Sequence, residues 1–180
     1  NADAALMVTV NPSEFPYEGP LGGALWQQEI EKRAYALTES YRAPAQLVGD
    51  FLKKRPSEAA GAVEPTYRPG VHWGDIREVL PKKITDALAE ALPLLEHNLQ
   101  GFASPDAVLT APETRSSSPV RILRDDSRQA SIRGLYPSGE GAGYAGGIMT
   151  AAIDGMMSAE AIIEAASTQS QPAPRAAGER

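Results

Sequence analysis

Apolar residues recur at helical spacing in three long stretches of the chain, with polar and charged residues between them. Such spacing predicts amphipathic helices that each bury one face. Two shorter runs predict further helices, one of them capped by Asp75. Pro81 fits the first turn of one long helix, and Pro93 should kink or split that helix. The predicted helices are 23–39, 45–53, 76–80, 81–99 and 146–166.

Strand-like runs lie towards both ends of the chain. Residues 5–10 (ALMVTV) predict a buried strand, and shorter strands are predicted at 108–111, 120–123 and 132–136. Because these strands flank a helical middle, we expect the first and last segments to join one sheet and the middle to form an insertion. The predicted fold class is α+β and rich in helix. The predicted segments are a strand at 1–12, a helical cap or substrate domain at 13–106, a C-terminal return to the parent domain at 107–166 and a flexible tail at 167–180.

The start of the chain indicates a piece of a longer protein. The predicted strand at 5–10 comes almost at once, with no methionine and no turn before it. Strands separated from their sheet partners would expose their edges, and exposed edges favour dimerisation. We therefore expect a fragment that is able to form a homo-oligomer.

Composition excludes several classes of function. The net charge of -6 provides no basic face for nucleic acid. No apolar run reaches the roughly 18 residues of a membrane span, and no signal peptide is evident, which predicts a cytoplasmic protein. The chain has no cysteine, so thiolate chemistry is excluded. His72 and His97 have no metal-binding neighbours at ligand spacing, so no metal site is expected.

A cluster of glycines is the best candidate for a binding site. Residues 141–146 (GAGYAG) form a G-x-G-x-x-G, but no strand with a terminal acid follows the next helix, so a first dinucleotide-binding loop is excluded. Glycine lets the backbone approach a ligand closely, and the helix that follows offers free N–H groups to an anionic or carbonyl oxygen. Glu140 could accept hydrogen bonds from hydroxyl groups. The alternative is a tight turn that serves packing alone.

Four longer stretches resemble one known family. They are residues 114–122 (TRSSSPVRI), 134–148 (GLYPSGEGAGYAGGI), 41–46 (YRAPAQ) and 67–71 (YRPGV). Together they resemble the C-terminal part of bacterial FAD-dependent dehydrogenases, which fall in the two-domain FAD/NAD(P)-binding flavoprotein superfamily. The resemblance extends over residues 1–165. It implies that the last strands and helix belong to an FAD-binding α/β domain.

The resemblance also implies a role for the glycine cluster. Gly139 and Glu140 would contact the ribityl or pyrophosphate part of FAD, and the following helix would point its first turn at the pyrimidine end of the flavin ring. Arg115 and Arg121 are candidate contacts to flavin or to an anionic substrate, with structural ion pairing as the alternative. The implied cofactor-binding residues are Gly139, Glu140, Gly141, Gly143, Tyr144, Ala145, Gly146, Gly147 and Ile148.

The function implied by the resemblance is that of a FAD-dependent oxidoreductase acting on an unspecified small molecule. The family's N-terminal G-x-G-x-x-G is absent from this chain, so the expected partner is the missing N-terminal FAD-binding segment. The chain alone is expected to be inactive and to retain FAD poorly. No catalytic residue is assigned. The alternative function is a non-enzymatic binding or scaffold module whose glycine turn is structural.

Overall fold

The computed structural model describes residues 3–169. Contacts within the chain divide it into two units, of which unit 1 ends at Thr114 and unit 2 begins at Arg115. Helices and a small mixed sheet confirm the predicted α+β class. No helix in the described part of the chain is long and apolar enough to cross a bilayer. The elements are α1 (Gly22–Thr38), β1 (Ala43–Leu47), α2 (Val48–Leu52), β2 (Val71–Trp73), α3 (Lys82–Asn98), β3 (Val108–Thr110) and α4 (Ile148–Gln169), with 3₁₀ turns at Pro12–Glu14 and Ile76–Glu78.

Unit 1 is built on a three-stranded sheet in the order β2-β1-β3. The central strand β1 pairs in parallel with β2 and antiparallel with β3. Helices α2 and α3 supply most of the main hydrophobic core, and α1 forms a second cluster around Ile30, Ala34 and Val79. The buried residues of the main core are Val48, Phe51, Ile76, Leu88 and Leu92.

The helix predicted at 45–53 is wrong in its first part. The segment forms β1 up to Leu47, and only Val48–Leu52 is helical. Ladder hydrogen bonds to a neighbouring strand on each side fix this segment as a strand. Gln46 is fully buried in this strand, where its amide nitrogen donates to the Arg55 carbonyl (2.7 Å) and its amide oxygen accepts from the Ile76 N–H (3.1 Å).

The strand predicted at 5–10 is also wrong. The segment pairs with no other strand. Its alternating apolar residues still face the protein, since Leu6 and Val8 are half-buried and pack against the main core. The other predictions for unit 1 hold better. Strand β3 and helices α1 and α3 lie where the pattern placed them, and α3 continues through Pro93 as one helix. Asp75 caps its 3₁₀ turn by accepting the Arg77 N–H at 3.0 Å.

Unit 2 consists of irregular turns followed by α4. The strands predicted at 120–123 and 132–136 are absent. Only isolated backbone hydrogen bonds hold these segments, such as the bond from the Ile122 N–H to the Ala142 carbonyl (3.1 Å), so no ladder forms. Helix α4 extends to Gln169, into the segment predicted as a tail, and residues 170–180 of that tail lie outside the described residues.

Candidate functional site

Asp154 of α4 fixes the start of the glycine cluster through hydrogen bonds to its carboxylate. Its side chain is 11 % exposed and accepts two hydrogen bonds from the Arg124 guanidinium, at 3.0 and 2.6 Å. Arg128 donates a third bond (2.8 Å), and the Gly139 N–H donates a fourth (2.8 Å). These bonds hold the pKa of the Asp154 carboxyl far below its usual range, because they favour the charged form. The bonds from Arg124 make the largest contribution. The first residue of the predicted site is therefore fixed to an ionised carboxylate.

Gly143 lets the far side of the glycine cluster approach the segment before Arg124. Its φ is 83°, and a Cβ at this position would lie 2.6 Å from the Val120 carbonyl oxygen and 2.9 Å from Cα of Arg121. Arg121 in turn donates from Nε to the Gly143 carbonyl at 2.9 Å. This position therefore requires glycine for its backbone angle and for the close contact.

Tyr144 also connects the glycine cluster to the segment around Arg124. Its hydroxyl donates to the Ile122 carbonyl (3.0 Å), and Arg124 stacks over its ring at 3.6 Å from the centroid. Arg121 lies 5.0 Å from the same centroid. Arg124 thus joins the Asp154 carboxylate and the Tyr144 ring, and the cation–π contact adds to the ion pair.

The end of the glycine cluster next to α4 is open. Gly141, Gly146, Gly147 and Ile148 are exposed, and no atom lies within 4 Å of the position that a Cβ would take at Gly141 or Gly146. Within the described residues, no acceptor is bonded to the N–H groups of Gly146, Gly147 and Ile148. Those donors mark the first turn of α4, where intrahelical partners are missing and the helix dipole is positive.

The remaining predicted residues take different places. Glu140 is half-buried, and its carboxylate has no hydrogen-bond partner among the described residues; Ala145 is half-buried in the turn before α4. Arg121 lies against the glycine cluster, as described above. Arg115 is an exposed residue at the start of unit 2 with interactions of its own.

The histidines lie in unit 1. His72 is half-buried in β2, and His97 lies in the last turn of α3. In the part of the chain that the structure describes, no three His, Cys, Asp or Glu residues are grouped as metal ligands would be.

The residues that sequence reasoning missed are those that hold the cluster together. Asp154 lies 30 positions after Arg124 and 26 positions after Arg128 in the sequence. No local spacing therefore reveals that these side chains are in contact. One signal was available: Asp154 is the only charged residue among residues 148–158, which are mostly apolar. A buried charge in such a place needs a partner.

Several large apolar side chains of helix α4 are exposed. The face packed within unit 2 carries the polar residues Asp154 and Ser158. The exposed apolar face of α4 carries large side chains that are between 44 % and 90 % exposed. Large exposed apolar side chains grouped on one helix are often covered by a partner. The residues of this face are Ile148, Met149, Ile153, Met156, Met157, Ile162 and Ile163.

Comparison with known proteins gives two findings. The family model described as "FAD-dependent protein, C-terminal domain-like" matches residues 1–116, which cover unit 1 and end before the glycine cluster. An uncharacterized protein of Clostridium beijerinckii is 46 % identical over 166 residues, a match that spans 91 % of this chain and therefore continues into unit 2. The chain spans only 31 % of that relative's length. The resemblance found in the sequence is thus confirmed, and the chain belongs to the family of FAD-dependent proteins as a C-terminal part.

Proposed function

We propose that this chain is the C-terminal part of a FAD-dependent oxidoreductase, and that residues 139–148 contact the flavin. The observation that carries the proposal is the geometry of this segment. It is fixed at Gly139 by the ionised Asp154, while the N–H groups at the start of α4 stay open. Rigid support on one side and free donors on the other are what a cofactor loop needs.

The open residues fit the pyrimidine end of a flavin. Gly141 and Gly146 leave free space where a side chain would stand, so a planar ring is able to approach the backbone. The N–H groups at Gly146 and Gly147 would donate to the carbonyl oxygens of that ring. The positive end of the α4 dipole would stabilise the negative charge of a reduced flavin. When bound, FAD supplies hydride or electron transfer.

Glu140 suits the neighbouring part of the cofactor. Its half-buried carboxylate is an acceptor without a partner in the described part of the chain, next to a turn that is already fixed. Ribityl and ribose hydroxyls are donors that such a carboxylate would bind. Arg121 already donates to the Gly143 carbonyl, so we assign it to positioning the loop. Unit 1 would form the cap or substrate domain.

The test is FAD binding by the full-length parent protein with Gly146→Val. The wild type should carry the absorption bands of bound flavin, and the variant should lose FAD affinity by about tenfold or more, because the branched side chain blocks the approach of the ring. Gly74→Val is the matched control, since a Cβ there also meets no atom closer than 4.0 Å and the site is in unit 1. A colourless full-length wild type would instead favour the non-enzymatic scaffold.

The missing N-terminal FAD-binding segment is the partner that we propose for the exposed apolar face of α4. The relative from Clostridium beijerinckii extends well beyond the matched region, so enough chain exists to cover this face. The segment and the present chain, produced separately, should co-elute. Met156→Glu, at a side chain that is 65 % exposed, should separate them, whereas Glu160→Gln on the same helix should not. Co-elution of the Met156→Glu variant would contradict the assignment.

A further inference from the structure

Unit 1 carries an open groove that the proposed flavin contact does not use. The groove has a volume of about 550 Å³ and lies between the second half of α1, the residues that lead into β1, and Pro112 after β3. Every residue that lines it belongs to unit 1. Volumes of this order suit a small molecule.

Three tyrosines make the groove aromatic. Tyr35, Tyr41 and Tyr67 all line it and are 51 %, 81 % and 49 % exposed. Tyr35 and Tyr41 pack edge to face, with ring centroids 5.6 Å apart and planes at 68°. Half of the chain's six tyrosines are therefore gathered around one cavity, with their rings available for stacking.

Two cations line the same groove. The Arg42 guanidinium donates from Nε and Nη2 to the Val71 carbonyl, at 3.2 and 2.9 Å, which fixes its plane and leaves Nη1 available. Lys32 donates to the Gln28 side chain at 3.3 Å. Neither cation has a carboxylate partner among the described residues. The acidic residue of the groove, Glu31, accepts a hydrogen bond from the Thr114 hydroxyl.

We propose that this groove binds a planar aromatic molecule that carries a carboxylate. The tyrosine rings would take the aromatic part by stacking, and Lys32 and Arg42 would take the carboxylate through charge-assisted hydrogen bonds. A neutral aromatic would lack the ionic contacts, and an aliphatic acid would lack the stacking. Binding at this groove requires no flavin, so the proposal can be tested independently of the proposed redox function.

The test is calorimetric titration of the full-length protein with 2-naphthoate, in parallel with 2-naphthalenemethanol and cyclohexanecarboxylate. We expect 2-naphthoate to bind about tenfold or more tightly than either analogue. Binding of all three with equal affinity, or no binding of 2-naphthoate at millimolar concentration, would overturn the proposal. Preferential binding of a proline-rich peptide, the other ligand that aromatic grooves take, would overturn it as well.

Variants locate the site and separate it from a flavin pocket. Tyr41→Ala and Lys32→Gln should each weaken 2-naphthoate binding by about fivefold or more. Matched controls outside the groove are Tyr17→Ala, at a tyrosine that is 40 % exposed, and Lys53→Gln, at an exposed lysine. FAD content should be unchanged in all four variants. Equal 2-naphthoate affinity in the groove variants and the controls would assign the binding elsewhere.

Discussion

Replacing Asp154 with asparagine tests the central claim about unit 2. The substitution keeps the size of the side chain and an oxygen for the Gly139 N–H, but it removes the charge that Arg124 and Arg128 face. The side chains of the two arginines are 9 % and 17 % exposed, so water replaces the lost partner poorly. The side-chain NH₂ of asparagine is also a hydrogen-bond donor, and it would face the donor groups of a guanidinium instead of an acceptor.

The magnitude follows from the burial of the pair. Removing one partner of a buried ion pair costs about 3–5 kcal/mol, because the other charge stays buried without compensation. At about 1.4 kcal/mol per factor of ten, this corresponds to a change of roughly a hundredfold to several thousandfold in an opening equilibrium. Such a loss is large compared with the total stability of a small unit.

Amide hydrogen exchange along α4 is the suitable assay, since it reports on unit 2 without a signal from unit 1. Protected amides near Ser158 should exchange faster by that factor in Asp154→Asn. Asp126→Asn is the control, because Asp126 is exposed and its carboxylate accepts no hydrogen bond within the described residues. Unchanged exchange at α4 in Asp154→Asn would refute the claim that this carboxylate holds the glycine cluster.

Two further predictions concern backbone geometry and pH. Gly143→Ala should lower the unfolding temperature of unit 2 far more than Gly134→Ala. Both glycines have a positive φ (83° and 85°), but only at Gly143 would a Cβ meet another atom, at 2.6 Å. Equal losses in the two variants would show that the close contact is unimportant. In unit 1, the hydrogen bond from the Ser57 hydroxyl lowers the pKa of Asp50. The stabilisation is therefore fully present above the unfolded pKa of about 3.9 and is lost as pH falls through the lower folded value. Asp50→Asn should flatten the fall in urea stability below about pH 4, and a slope equal to that of the wild type would contradict this.

The elements that the sequence predicted correctly are those with a long local signal. Helices α1 and α3 and strand β3 follow from the spacing of apolar residues, and Asp75 marks the 3₁₀ turn that it caps. Strand β1 was missed because it contains no β-branched residue, and pairing with two distant strands overrides its weak propensity. The opposite error occurred at residues 120–123, where an alternating pattern found no partner strand to pair with.

The candidate site was predicted in outline only. The glycines and the helix start at residues 139–148 are visible as a motif, and the open donors lie there. The support from Asp154 and Arg124 was not predicted, because it depends on contacts between residues far apart in sequence. Local patterns locate a loop, whereas its rigidity depends on tertiary contacts.

The central position of β1 has a consequence for the order of folding during synthesis. This strand is translated first of the three, but its antiparallel partner β3 begins only at Val108, after α3 is complete. Until then one edge of β1 has no pairing partner, and such edges are where newly made chains pair wrongly. The helices rely on local contacts and form early, so closure by β3 is the slow, non-local step. A pause in translation just before Val108 should therefore lengthen the period in which this protein needs a chaperone.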